Sequence, residues 1–304
     1  MDAEEFAIDS AVDRPTAEAA ADALQDSVAD RAERPLLTIR GGRRWTGLGF
    51  VELWKYRDLL LLLTWREIKI RYKQTVLGIV WAVIQPLLTM VIFTLLFGKL
   101  ARLPSDGAPY AIFSYVGLLA WNFFNTAVAG SSTSLVGNSN LITKVYFPRL
   151  VIPGATVGAA LFDLAIAATL LLPMMLFYQM TFSLRLLMLP IFTLLLTIVA
   201  SGVGLWAAAL NVKYRDVRYA LPFLLQVWMF VTPIIYPISF VPARWRWLIA
   251  LNPLTGIIAN LRASVLDRSF DWRNLFISTL VAVSLLIYST YIFRRLEREF
   301  ADLI

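Results

Sequence analysis

Six stretches of about 20 residues each are almost free of charged side chains, and no other feature of this sequence constrains its fold as tightly. A hydrocarbon core of about 30 Å needs roughly 20 helical residues at about 1.5 Å apiece, so each stretch is long enough to cross a membrane. They run over residues 77–97, 110–130, 152–178, 186–210, 220–238 and 274–293, and Asp163 interrupts the third. The apolar runs are continuous rather than alternating, which predicts helices and excludes the strands of a barrel. With 59% hydrophobic residues in 304, the chain carries more apolar surface than one soluble core hides. The expected fold class is an all-α integral membrane protein with six transmembrane helices.

Orientation follows from basic flanks. With the N-terminus inside, 14 Lys and Arg collect on the cytoplasmic side of these spans and eight on the other, so both termini are expected inside. Residues 232–273 break the pattern: Pro233, Pro237, Pro242 and Pro253 interrupt any long helix, and neither half is long enough to cross. A re-entrant helix pair between spans five and six accommodates this segment. Residues 50–73 are expected to form an interfacial amphipathic helix. Leu61, Trp65, Ile68 and Tyr72 make one stripe, and Glu67 is one turn from Arg71. Residues 1–40 read as an acidic cytoplasmic tail, 74–296 as the six-span transmembrane region and 297–304 as a short cytoplasmic tail. Residues 1–34 hold ten acids, and the rest of the chain holds 25 basic residues against 11 acidic ones.

There is no cysteine and no histidine, which removes thiol chemistry and nearly every zinc site, and no phosphate-binding G-x-x-x-x-G-K-[ST] loop occurs. Only five acids lie between residues 76 and 293, with no converging carboxylate pair, so no catalytic residue and no metal ligand is assigned. The basic residues border apolar spans rather than covering a soluble face, which points to lipid headgroups and anionic cargo and away from nucleic acid. Arg66, Lys69, Arg71, Tyr72 and Lys73 are candidates for a cytoplasmic mouth that meets a pyrophosphate headgroup, with membrane anchoring as the plain alternative. Asp163, inside a span, is either an interhelical hydrogen-bonding residue or a cation-coupling one. Gly154 and Gly158 form a small-xxx-small face suited to close helix packing. Trp121, Phe123 and Phe124 in span two, with Trp228, Phe230 and Tyr236 in span five, offer faces for sugar rings along a channel, or ordinary packing.

Several segments together resemble one family. Leu53-Trp-Lys-Tyr-Arg-Asp-Leu, Arg66-Glu-Ile-Lys-Ile-Arg-Tyr-Lys-Gln-Thr-Val-Leu-Gly and Trp81-Ala-Val-Ile-Gln-Pro are similar to the N-terminal signature of ABC permeases that export O-antigen, capsule and teichoic acid. Asn140-Leu-Ile-Thr-Lys-Val-Tyr-Phe-Pro-Arg resembles that family's first coupling segment. Lys213-Tyr-Arg-Asp-Val, Thr232-Pro-Ile-Ile-Tyr-Pro and Asn252-Pro resemble its second cytoplasmic loop and outer re-entrant region. The likeness covers about residues 50 to 300, and the acidic extension departs from it.

The resemblance implies a homodimeric permease of the bacterial inner membrane. Two copies of a separate ABC ATPase would bind the ATP and magnesium, and this chain would hold no cofactor. It implies coupling through Asn140, Leu141, Lys144, Tyr146, Phe147, Pro148 and Arg149, with Arg215 and Asp216 also on the ATPase side. It implies an outer gate at Pro233, Pro237, Asn252 and Pro253, and a lipid-linked polysaccharide as cargo, carried on undecaprenyl diphosphate. Rival readings are an ABC permease for a drug or small lipid, an ion-coupled secondary transporter and a membrane-embedded glycan enzyme.

Overall fold

The computed structural model describes residues 54–73, 75–145, 147–297 and 300, and all regular structure among them is helical. The expected tail at 1–40 and most of the one at 297–304 lie outside the described residues. In chain order the elements are α1 (Arg57–Tyr72), α2 (Gly78–Leu100), α3 (Tyr110–Gly137), α4 (Ser139–Lys144), α5 (Val151–Phe177), α6 (Leu184–Lys213), α7 (Val217–Val231), α8 (Ala243–Ala250), α9 (Pro253–Val265) and α10 (Trp272–Leu296).

Five of these, α2, α3, α5, α6 and α10, are long and apolar enough to cross a membrane. The expected fifth span differs from the sequence reading. α7 has 15 residues, about 22 Å of helix, and stops at Val231 instead of reaching residue 238. Thr232-Pro233 ends it because proline has no N–H to continue the ladder and pushes the residue before it into an extended conformation, which Thr232 adopts with ψ 137°. The chain then passes through a 3₁₀ turn at Ile238–Phe240 into α8 and α9, which meet at 100°. That bend falls in the segment where the prolines predict a re-entrant pair, and it has the geometry of a re-entrant pair or of one broken span. The Asn252 side chain accepts from the Leu254 N–H (3.1 Å) and so caps α9, with Pro253 in its first turn.

α3 is the hub. Within its apolar window 83% is buried inside this one chain, against 11% for α2. It packs on α6, α5, α2 and α9, and α10 closes over α6 and α9. Close approach depends on small side chains, since lipid supplies no hydrophobic drive between helices. The Ser131 hydroxyl lies 2.9 Å from that of Thr156, and a Cβ on Gly204 would come within 2.9 Å of the Ser131 Cβ. Asn211 donates to the Ser132 carbonyl at 2.8 Å, fixing the ends of α3 and α6 together. A second apolar cluster gathers at the α4 end of the bundle, where Leu63, Leu135, Ile142, Phe147, Leu150, Val212, Phe293 and Phe300 meet.

α1 packs along α5. Leu60 lies against Gly154, Thr64 against Gly158, and Arg71 and Tyr72 against Asp163, so its contacts climb along α5 over about 14 Å. Its buried residues are Leu63 and Ile68, while Leu61 and Trp65 of the expected stripe are exposed. Gly154 and Gly158 are the groove that admits it.

At Gly256 a Cβ would fall 2.3 Å from the Asn274 carbonyl oxygen, a backbone atom that cannot swing aside. Gly256→Val is therefore expected to cost on the order of 1–3 kcal/mol through forced separation of α9 and α10, read as a lowered unfolding midpoint of the detergent-solubilised protein.

Candidate functional site

A cavity of about 520 Å³ lies between α2, α3 and α5, with Arg71 and Tyr72 from the end of α1 in its lining. Its charged lining consists of Arg71 and Asp163. Arg71 Nη1 pairs with Asp163 Oδ2, and the Tyr72 hydroxyl donates to Oδ1 of the same carboxylate. Both members of the ion pair are about one quarter exposed, so the pair faces the cavity rather than lipid. Burial, and then the hydrogen bond to Asp163, push the Tyr72 phenol well above its ordinary range, so it remains a donor. The Glu67–Arg71 pair expected one turn apart does not form. Arg71 turns to α5, and Glu67 instead pairs with Arg66 at 3.0 Å.

Arg66 also donates to the Asn138 side chain at the junction of α3 and α4. Of the five mouth candidates, Arg66, Arg71 and Tyr72 are thus engaged within the chain. Lys69 and Lys73 are exposed, with the Lys69 ammonium 5.7 Å from the Trp65 ring centroid. Sequence spacing showed the cations; the partners that hold three of these side chains lie on other elements.

The proposed coupling residues cluster at the α4 end. α4 spans six residues and carries Asn140, Leu141 and Lys144, with Asn140 and Lys144 exposed. Phe147 is buried in the second apolar cluster, and Pro148 leads into α5. The Arg149 backbone N–H donates to Glu297 Oε1 (3.2 Å), its guanidinium donates to the Glu297 carbonyl, and it lies 5.9 Å from the Phe300 ring. The end of α10 is tied in this way to the start of α5. Tyr146 lies outside the described residues. Arg215 and Asp216 are both exposed, and no ion pair joins them among the described residues. Arg215 lines a second cavity, of about 750 Å³, with Ser139, Asn211, Arg218 and Tyr219, so the two loops share one surface.

The aromatic candidates divide. Trp121 and Phe124 are buried, 5.5 Å apart, and Phe124 meets Trp228 edge-on at 5.2 Å. Phe123 is as buried as these, at the wall of the 520 Å³ cavity, Phe230 is exposed, and the Tyr236 hydroxyl donates toward the Phe230 and Val231 carbonyls (3.3 Å). At the opposite end Trp228 Nε1 donates to Asn252 Oδ1 (3.2 Å), and Asn252 Nδ2 donates to the Thr232 hydroxyl (2.9 Å). Asn252 therefore joins α7 to the re-entrant pair.

Arg262 in α9, which the sequence showed only as one more outer charge, organises that end. It is buried. Its Nε donates to the Phe113 carbonyl (3.1 Å), Nη1 to that of Pro233 (2.7 Å) and Nη2 to that of Ile234, and the guanidinium lies 3.7 Å from the Phe113 ring centroid. Pro233 and Ile234 are where α7 breaks, so the guanidinium satisfies carbonyls that no helix pairs. Gly117 makes room, because a Cβ there would come 2.4 Å from Nη2. Arginine within the apolar run 257–265 was the available signal.

This architecture defines a polytopic helical membrane protein whose polar groups are gathered into an internal cavity and a broken, re-entrant end. Residues 58–266 match the ABC-2 type transporter family, and the chain belongs to it. It is similar to the O-antigen export system permease protein RfbA of Myxococcus xanthus, 31% identical over 254 residues, covering 83% of this chain and 97% of that one. It is also similar to an RfbA permease of Klebsiella pneumoniae (27% over 248 residues; 81% and 95%). The polysialic acid transport protein KpsM of Escherichia coli is 23% identical over 237 residues (74% and 90%). Both RfbA relatives are named as export permeases, and the likeness runs nearly the length of all three relatives.

Arg262→Met is expected to orphan the Pro233 and Ile234 carbonyls and to lower stability by on the order of 3 kcal/mol, while Arg262→Lys, a single point charge, recovers only part of it. Thermal unfolding in detergent of the three proteins checks the order.

Proposed function

We propose that this chain is the membrane subunit of an ATP-driven exporter that carries an undecaprenyl-diphosphate-linked polysaccharide across the bacterial inner membrane, as a homodimer with two copies of a partner ABC ATPase. The observation that carries the reading is the near end-to-end likeness to an O-antigen export permease at 31% identity. Both termini lie on the cytoplasmic side in this reading. The α4 end then faces the ATPase and the re-entrant end faces outward.

The geometry supplies a mechanism for the coupling. α4 and the Pro148-Arg149 corner lead directly into α5, and α1 is fastened to α5 at Gly154, Gly158 and Asp163 and to the α3–α4 junction through Arg66. A push on α4 by a closing ATPase is delivered to α5 and α1 together, which moves the rim of the 520 Å³ cavity. Lys69 and Lys73, exposed on α1, meet the diphosphate at the membrane surface. At the outer end, Pro233, Pro237, Asn252 and Pro253 shape the gate, and Arg262 holds it closed by gathering its carbonyls.

The test is reconstitution with the partner ATPase in proteoliposomes. ATP-dependent movement of a lipid-linked glycan is expected, and none with the ATPase left out. Movement driven by an ion gradient alone, or stimulation by small amphiphiles with indifference to the glycan, would refute the proposal. Within the same system, Lys69→Glu with Lys73→Glu is expected to weaken uptake of the anionic headgroup about tenfold, measured as the half-saturating concentration of lipid-linked substrate.

A further inference from the structure

The 520 Å³ cavity carries a polar strip that the export reading above does not use. Asn122, Asn125 and Thr126 fall at i, i+3 and i+4 on one face of α3, near the midpoint of a 28-residue helix, and Gln85 of α2 joins them. None of these four side chains makes a hydrogen bond among the described residues, although Ser131, Ser132 and Ser134, further along the same helix, each bond a carbonyl. Asn122, Asn125 and Thr126 are half-buried and Gln85 is exposed, and half-buried amides without a partner in an apolar helix cost free energy unless something polar occupies the space before them.

The chemistry of the lining narrows the occupant. Arg71 and Asp163 are paired, so the cavity holds no net charge and offers no unmatched cation to a phosphate. What remains is three amides and a hydroxyl, able to donate and accept, beside the rings of Trp81 and Phe123. Amides for hydroxyls and an aromatic face for C–H edges match an uncharged sugar ring. The volume falls within the usual range of small-ligand pockets. A flat contact with a second copy needs no concavity of this size.

We infer that this cavity binds an uncharged sugar unit of the exported glycan, with Gln85, Asn122, Asn125 and Thr126 as its hydrogen-bonding residues. The inference rests on the export reading for its cargo and adds to it the place of contact and a preference for neutral sugars. The diphosphate stays at Lys69 and Lys73, and the sugars enter the space behind the Arg71–Asp163 pair.

Two measurements on the complete transporter in proteoliposomes test it. In the first, Asn122→Ala with Asn125→Ala is expected to raise the half-saturating concentration of a neutral lipid-linked glycan about tenfold, which is ~1.4 kcal/mol, while that of glycan-free undecaprenyl diphosphate stays within about twofold of wild type. An equal rise for both substrates, or none for either, overturns the sugar site. A double variant that falls apart into single copies assigns the strip to subunit contact and overturns it equally.

The second measurement is independent of transport. The chain has no cysteine, so Asn125→Cys gives it one thiol. Its labelling by a hydrophilic maleimide is expected to be slowed by a free neutral oligosaccharide, and less by one bearing carboxylates. Equal protection by both, or protection by neither, contradicts the inference. If wild type ignores lipid-linked glycan altogether yet the neutral oligosaccharide still protects Cys at 125, the export reading fails and the sugar site stands.

Discussion

A guanidinium set among three main-chain carbonyls is what permits this chain to stop a helix at membrane depth. Backbone oxygen without a partner is too costly in hydrocarbon for α7 to end where it does, since nothing in lipid replaces the lost helical bonds. Arg262 replaces them from α9, Gly117 leaves the space for it, and the Phe113 ring covers its face. The 100° bend of the re-entrant pair, the shortened α7 and the entry of α3 all converge on this one side chain. Asn252 repeats the principle with an amide, serving Trp228, Thr232 and the N-terminus of α9 at once.

At the opposite end shape works beside charge, since Arg149 and Arg66 bond there as well. Glycine, alanine and serine on α3, α5 and α6 bring the backbones close enough for dispersion and small hydroxyl contacts to hold them. The same device admits α1, whose polar end is then secured by Asp163. A bundle whose core helix is mostly enclosed by its own chain, while α2 is mostly bare, has its rigid part in the middle and its adaptable surface at the first span.

Much of the fold was legible from the sequence because hydrophobic length is a local property. Five spans and the proline-broken segment follow from charge-free runs and proline positions alone, and the family resemblance agrees with the match over 58–266. What escaped was everything that depends on which helix lies beside which. Glu67 and Arg71 satisfy the one-turn rule, yet Arg71 chose a carboxylate 92 residues away because that carboxylate, in the middle of α5, had the greater need. Of the expected stripe on α1, Ile68 is buried and Tyr72 is bonded to α5, while Leu61 and Trp65 stay exposed. Arg262 looked like surface charge because nothing local reveals that α7 ends short of a full crossing. Asn122, Asn125 and Thr126 were readable as polar residues in an apolar helix, but the neighbouring aromatics drew the functional reading, and all three of those, Trp121, Phe123 and Phe124, are core residues.

The Arg71–Asp163 pair also bears on how the protein is made. A carboxylate entering the bilayer alone within α5 carries a penalty of a few kcal/mol. Synthesis proceeds from the N-terminus, so α1 with its guanidinium is complete well before α5 leaves the ribosome, 92 residues behind. The acid therefore inserts into a membrane where its base already waits. A chain with α1 moved to the far terminus would have to insert that span uncompensated.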